Sequence, residues 1–409
     1  MDNQATATKF QDILESRGVS RRSFMKMCGT VAVMVGLSKA AAPRVAEAVE
    51  KSVIGAAEGG LYPAIWIEGA SCTGCTEAFA GSADPDPASI VLEMISCNYN
   101  ETLSAAAGYS MEEARHQTME AGNFVLVYEG AVLRGFDDWA LRVAEEKGTD
   151  ILAETAEKAN AVIAIGSCAV NGGWMAADPN PAGAMGVQQF LEERGIETPV
   201  INIPGCPGNP EWLVACLVSV VMLGKLPELD AFGKPKEVFS QTVHDNCERR
   251  GHFENGEFVY EYGSPEEAMG YCLYPLGCRG PQTKANCGVA MYNRGRSWCI
   301  RSGGPCIGCC EADPHNPKDN WVQVNAPFTK RHRDLRIGDF IFQPTTLALG
   351  IIGIEAVALV AHGFGMKAAG RVPNGADFEP VRAWDAKHPD KSIGVYDDKV
   401  LEDIKKGGR

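Results

Sequence analysis

The sequence predicts an α/β protein: a doubly wound parallel sheet, then an irregular cysteine-rich segment, then one long apolar helix. Three observations carry this. From residue 62 to about 225, short β-branched runs alternate with stretches of helical periodicity. From 235 to 340, Gly, Pro, Asn and Arg are frequent and strand signals fade. Residues 346–364 form an apolar run of 19 positions, interrupted by Glu355 near its middle and His362 near its end. The 409 residues suffice for two or three domains. A net charge of −14 argues against a nucleic-acid partner.

Taken in order, residues 1–50 read as a targeting segment. Ser20-Arg21-Arg22-Ser23-Phe24-Met25-Lys26 precedes a short apolar run over 27–37. That is the pattern of a twin-arginine export signal, and it predicts a periplasmic location. The rival reading is a basic surface helix followed by a buried one. Ala46-Glu47-Ala48 fits a small-x-small cleavage site, whereas Ala40-Ala41-Ala42 is followed by the unfavourable Pro43.

Residues 60–230 form the predicted sheet domain. Strands are expected over 64–67, 90–95, 124–128, 162–165 and 200–203, with helices over 111–121, 139–146 and 187–194. Ligands of such sheets sit beyond the carboxyl ends of the strands. Cys72 and Cys75 follow the first strand, Cys168 the fourth and Cys206 the fifth. Three loops at one sheet edge are therefore expected to converge. Glycines flank these cysteines (Gly69, Gly74, Gly166, Gly172, Gly173, Gly205), and small residues let backbone N–H groups approach sulfur.

Residues 235–340 carry eight more candidate ligands. His244-x-x-Cys247 goes with Cys272-x5-Cys278, and Cys287 and Cys299 go with Cys306-x-x-Cys309. Eleven cysteines and one histidine thus fall into three sets of four, the number a cubane iron–sulfur cluster takes. Imidazole in the second set removes a negative charge and tends to raise a cluster's potential. With Cys299, the third set suits a 4Fe–4S cluster; without it, three ligands suit 3Fe–4S. Cys310 is adjacent, but neighbouring residues rarely both face one cluster. Cys97 and Cys216 read as core cysteines, and Cys28 lies in the signal. Spacing alone leaves zinc open for the first set. Such a segment is expected to fold around its metal centres rather than around a large apolar core.

Three clusters in one chain suit a relay of single electrons. Export of folded cargo also protects the ligands, because the periplasm oxidises free thiols. No Gly-rich nucleotide loop, serine triad or His-Glu-x-x-His motif occurs, so the catalytic site is expected on a partner. The run over 345–366 is just long enough to span a bilayer and predicts a membrane anchor; a buried core helix is the rival. The polar tail 367–409 shows no readable motif.

The motifs resemble the small subunit of NiFe hydrogenases, the selenium-containing kind included, over roughly 20–340. Glu68-Gly-Ala-Ser-Cys-Thr-Gly-Cys-Thr-Glu77, Gly166-Ser-Cys-Ala and Pro204-Gly-Cys-Pro-Gly-Asn-Pro210 are similar to the family's first three motifs. The resemblance implies a flavodoxin-like sheet domain and a proximal 4Fe–4S cluster on Cys72, Cys75, Cys168 and Cys206, facing a catalytic large subunit. It implies a distal 4Fe–4S cluster on His244, Cys247, Cys272 and Cys278, near the surface. It implies a medial cluster on Cys287, Cys306 and Cys309. Many members carry proline where Cys299 stands, with a 3Fe–4S medial cluster; cysteine there resembles members with three 4Fe–4S clusters. Gly74 occupies a position that carries an extra cysteine in oxygen-tolerant members, which implies an oxygen-sensitive type. The implied role is non-catalytic: electrons from hydrogen oxidation pass to a cytochrome or a membrane-bound, quinone-linked acceptor. Two rivals remain: an iron–sulfur subunit like that of respiratory complex I, and a secreted structural protein whose cysteines bind zinc or form disulfides.

Overall fold

In a computed structural model, the described residues are 21–34, 40, 42–46, 61–82, 87, 90, 95–143, 145–314, 335–337, 340–342 and 344–369. The leader before Arg21, the end of the Ala46-Glu47-Ala48 site and the tail from 370 lie outside them. The chain divides into two units, 1–331 and 332–409.

The first unit is built on five parallel strands: β1 (Tyr62–Glu68), β2 (Ile95–Asn100), β3 (Val125–Glu129), β4 (Ala161–Ile165) and β5 (Val200–Ile203). They pair in the order β2-β1-β3-β4-β5. Every residue of β3 and β4 is buried, as expected of central strands covered on both faces. Alternate residues feed two cores. Ala64, Trp66, Val125, Val127, Ile163 and Ile165 pack with helices α2 (Gly74–Ala80) and α7 (Pro210–Leu217). Ile65, Ile67, Leu126, Val162 and Ala164 pack with α3 (Tyr109–Ala121), α4 (Gly148–Lys158) and α6 (Val187–Arg194). One further helix, α5 (Gly166–Asn171), starts directly at the end of β4.

The second strand is described over Ile95–Asn100, and positions 91–94 of the expected 90–95 lie outside the described residues. It is an edge strand paired on one side only, so polar Ser96 and Asn98 are tolerated. Two expectations need correction. No helix covers 139–146. Phe136, Asp137 and Asp138 adopt positive φ, and Arg142–Val143 and Glu146–Lys147 form a small antiparallel hairpin. The helix is α4 instead, which buries Ile151, Leu152, Thr155 and Ala156 on one face. Cys97 is half-buried on the edge strand rather than in the core, whereas Cys216 is fully buried as expected.

The predicted export segment contributes helix α1 (Arg21–Met34). Phe24, Cys28, Val31 and Ala32 are buried in the same core as α7. The cysteine-rich segment holds only short helices among its described residues, such as Arg250–Glu254 and Cys287–Ala290, joined by turns. Its apolar side chains Val243, Leu273, Leu276, Trp298 and Ile300 join the core beneath α7.

In the second unit, Leu335–Ile337 and Phe340–Phe342 form an antiparallel pair ahead of the helix Pro344–Ala368. Its stretch Leu349–Ala368 is long and apolar enough to cross a membrane, and no part of it is buried. Leu349, Ile354, Val357, Leu359 and Phe364 are each at least 70 % exposed.

Candidate metal centres

The first set lies where the sheet topology puts it. Cys72 is in the loop after β1, Cys75 in the first turn of α2, Cys168 in α5 after β4, and Cys206 in the loop after β5. The loops close tightly because glycines line them. A Cβ on Gly166 would stand 2.6 Å from Cys75 Sγ, and one on Gly173 would stand 2.7 Å from Cys168 Sγ. The Gly208 N–H donates to Cys75 Sγ at 3.3 Å. Burial, then the nearby Glu129 carboxylate, pushes the Cys75 thiol well up. Burial first, then Cys206 and Cys72, pushes Cys168 up to about 12. Thiols so placed become thiolates only when a cation replaces the proton, so metal binding here must release protons. Cys72 and Cys206 remain exposed, and the Trp174 side chain hydrogen-bonds Cys206 while 46 % exposed.

Sequence reasoning missed the group that shapes this loop. Glu129, the last residue of β3, is 2 % exposed. One carboxylate oxygen accepts from Cys75 N at 2.9 Å and Ser71 Oγ at 3.1 Å. The other accepts from Thr76 N at 3.0 Å and Thr76 Oγ1 at 2.7 Å. The available signal was an acid closing an otherwise apolar strand.

His244, Cys247, Cys272 and Cys278 line one pocket, with Arg249, Tyr274 and Gly280. The Arg249 and Gly280 N–H groups donate to Cys247 Sγ and Cys278 Sγ, each at 3.4 Å. His244 is half-buried, and its ring meets Phe253 edge-on. Burial pushes Cys272 up to about 11.

Cys287, Cys299, Cys306 and Cys309 line a cavity of about 150 Å³. Cys310 lines it too, against expectation. The chain turns here, with Glu311 N donating to Gly308 O at 3.0 Å, so consecutive side chains share a wall instead of pointing apart.

The three sites abut. Cys206 of the first set also lines the third cavity. Ser167, beside Cys168, accepts from Gly205 N at 2.9 Å and donates to Cys309 O at 2.6 Å. Arg279, beside Cys278, donates its N–H to Cys306 O at 2.7 Å. Among the described residues, no three His, Cys, Asp or Glu side chains close on a single ion. The second and third sets surround openings instead, and backbone donors and glycine cradles aim at the sulfurs. That donor chemistry fits multi-atom iron–sulfur clusters.

Fold and candidate ligand sets together fit an iron–sulfur subunit of a redox enzyme. A family model described as NADH ubiquinone oxidoreductase, 20 Kd subunit, matches residues 72–220. A second, for the C-terminal part of the NiFe/NiFeSe hydrogenase small subunit, matches residues 239–321. The chain is 40 % identical over 302 residues to the hydrogenase-2 small chain of Escherichia coli, covering 73 % of this chain and 78 % of that one. It is 40 % identical over 315 residues to the periplasmic [NiFe] hydrogenase small subunit 1 of Nitratidesulfovibrio vulgaris, covering 76 % and 96 %. A solved [NiFeSe]-hydrogenase of Dm. baculatum superposes with a TM-score of 0.60 at 31 % identity, over 66 % of this chain and 99 % of that one. The chain belongs to the small subunits of NiFe hydrogenases. The first model spans only the sheet domain, and the second separates this chain from the complex I rival.

Proposed function

We propose that the chain carries electrons from a catalytic large subunit through three clusters, proximal, medial and distal, to a cytochrome or membrane-bound acceptor. Its place as the electron-transfer subunit of a hydrogenase heterodimer follows from the family. The observation that carries the finer reading is the overlap of the sites: Cys206 reaches the medial cavity, and Arg279 ties Cys306 to the distal loop. When bound, each cluster supplies a one-electron carrier. The chain's own residues hold the thiolates and donate N–H groups to their sulfurs. Exposed Cys72, Cys206 and Trp174 supply the face for the large subunit. The strand order matches the flavodoxin-like doubly wound sheet, whose ligands sit beyond the strand ends. The test is the purified heterodimer, in which this chain should account for roughly twelve irons and twelve acid-labile sulfides, four of each per cubane, and which should oxidise hydrogen with a viologen dye. The chain alone should not, and activity in the isolated chain would defeat the reading.

The localisation reading is periplasmic, after twin-arginine export directed by residues 1–50, with anchoring by the helix Pro344–Ala368. The periplasmic relative supports the compartment, and the exposed apolar length of the helix supports the anchor. Deleting residues 344–409 should release the enzyme from membranes while dye-linked hydrogen oxidation persists. Full-length enzyme already in the soluble periplasmic fraction would remove the anchor.

A further inference from the structure

We propose that Cys310 is a reserve ligand of the medial site, placed to take over the iron that Cys299 holds. This rests on the reading that Cys287, Cys299, Cys306 and Cys309 bind a 4Fe–4S cluster. Such a cluster uses four thiolates, yet its cavity presents these four and Cys310 besides. The two candidates for the fourth place differ in setting. Cys299 is exposed, whereas Cys310 is 2 % exposed.

The position of Cys310 is set by its surroundings. Its Sγ lies 4.0 Å from Cys309 Sγ and donates to Pro204 O at 3.6 Å. Its carbonyl accepts from the buried Lys234 ammonium at 3.2 Å, and the turn from Gly308 to Glu311 holds its backbone. The thiol is therefore kept at the cavity wall while its proton rests on a carbonyl.

The exchange conserves atoms and charge. The iron–sulfur bond to Cys299 breaks and one to Cys310 forms. The Cys310 proton passes to the Cys299 sulfur, and no electron changes hands. Where position 299 carries no thiolate, the Cys310 proton passes to water instead, and the cluster keeps four irons rather than three.

The test uses the purified heterodimer and electron paramagnetic resonance of the mildly oxidised protein, with iron counts alongside. Wild type and Cys310→Ala should both lack a stoichiometric 3Fe–4S signal. Cys299→Ala should lack it too, keeping its full iron count. Cys299→Ala/Cys310→Ala should show close to one 3Fe–4S spin per heterodimer and lose a single iron. Cys299→Pro, alone and with Cys310→Ala, provides a second background should the alanine variants not assemble. A full 3Fe–4S signal in Cys299→Ala, equal to that of the double variant, overturns the reserve role and leaves the 4Fe–4S reading standing. A full signal in wild type overturns the 4Fe–4S reading and the proposal with it.

Discussion

Gly166→Ala is expected to leave the heterodimer folded and to strip it of its proximal cluster. The new Cβ would stand 2.6 Å from Cys75 Sγ, far inside contact distance. In a protein without metal, the cysteine side chain would rotate away at little cost. A cluster ligand has no such freedom, because the rotamer that clears the methyl group abandons the iron. Gly166 also has φ +86, where a side chain costs about 1–2 kcal/mol. That backbone penalty is separable from the contact. Gly195 has φ +72 at the end of α6, and a Cβ there would meet nothing within 4 Å. Gly195→Ala should therefore lose similar stability and keep all its iron. Gly166→Ala should lose about four irons per heterodimer, one cubane's content, and its dye-linked hydrogen oxidation should fall to background. Equal iron in the two variants would show that the loop accommodates the methyl group.

Glu129→Ala should destabilise the same loop from beneath. Four donors converge on the carboxylate, two of them the backbone N–H groups of Cys75 and Thr76. A buried donor left without an acceptor costs about 1–3 kcal/mol. Both backbone donors lie in the first turn of α2, so the cost falls where Cys75 is presented. The unfolding temperature at a fixed scan rate should drop by several degrees, with early loss of the proximal cluster. Glu129→Gln keeps one accepting oxygen and turns an amide nitrogen toward the remaining donors, so its loss should be intermediate. Wild-type unfolding in Glu129→Ala would mean that water replaces the carboxylate without loss.

These two residues mark the limit of what the sequence reveals. Strands β1, β3 and β4 are legible because both faces of a central parallel strand are apolar, and edge strand β5 because it keeps Val200, Ile201 and Ile203. Over Ser96–Asn100 edge strand β2 is not, since one-sided pairing lets Ser96 and Asn98 stand among apolar neighbours. The stretch 139–146 has a helical pattern, but the left-handed turn at Phe136–Asp138 diverts it into a hairpin, with Lys147 lying over the Trp139 ring at 5.1 Å. Tertiary context overrides local preference there. The second and third candidate sets are grouped by spacing, and the fold brings each to one pocket. Glu129 and Ser167 act through partners 54 and 142 positions away, a relation no local pattern carries. Cys310 escapes a spacing argument because the backbone turns where neighbouring side chains would otherwise diverge.

The Ser167–Cys309 hydrogen bond has a consequence in time. On the proposed assignment the last proximal ligand is Cys206, and the residue that fastens Ser167 emerges from the ribosome about a hundred positions later. At about 5–20 residues per second, that delay is roughly 5–20 s. During it, the nascent chain has every proximal thiol and lacks the wall that Cys309 and Cys310 provide. The same few residues that close this wall also complete the medial ligand set. On the proposed assignment, the hydrogen bond that fastens the Cys168 loop therefore forms only when the medial ligand set is complete.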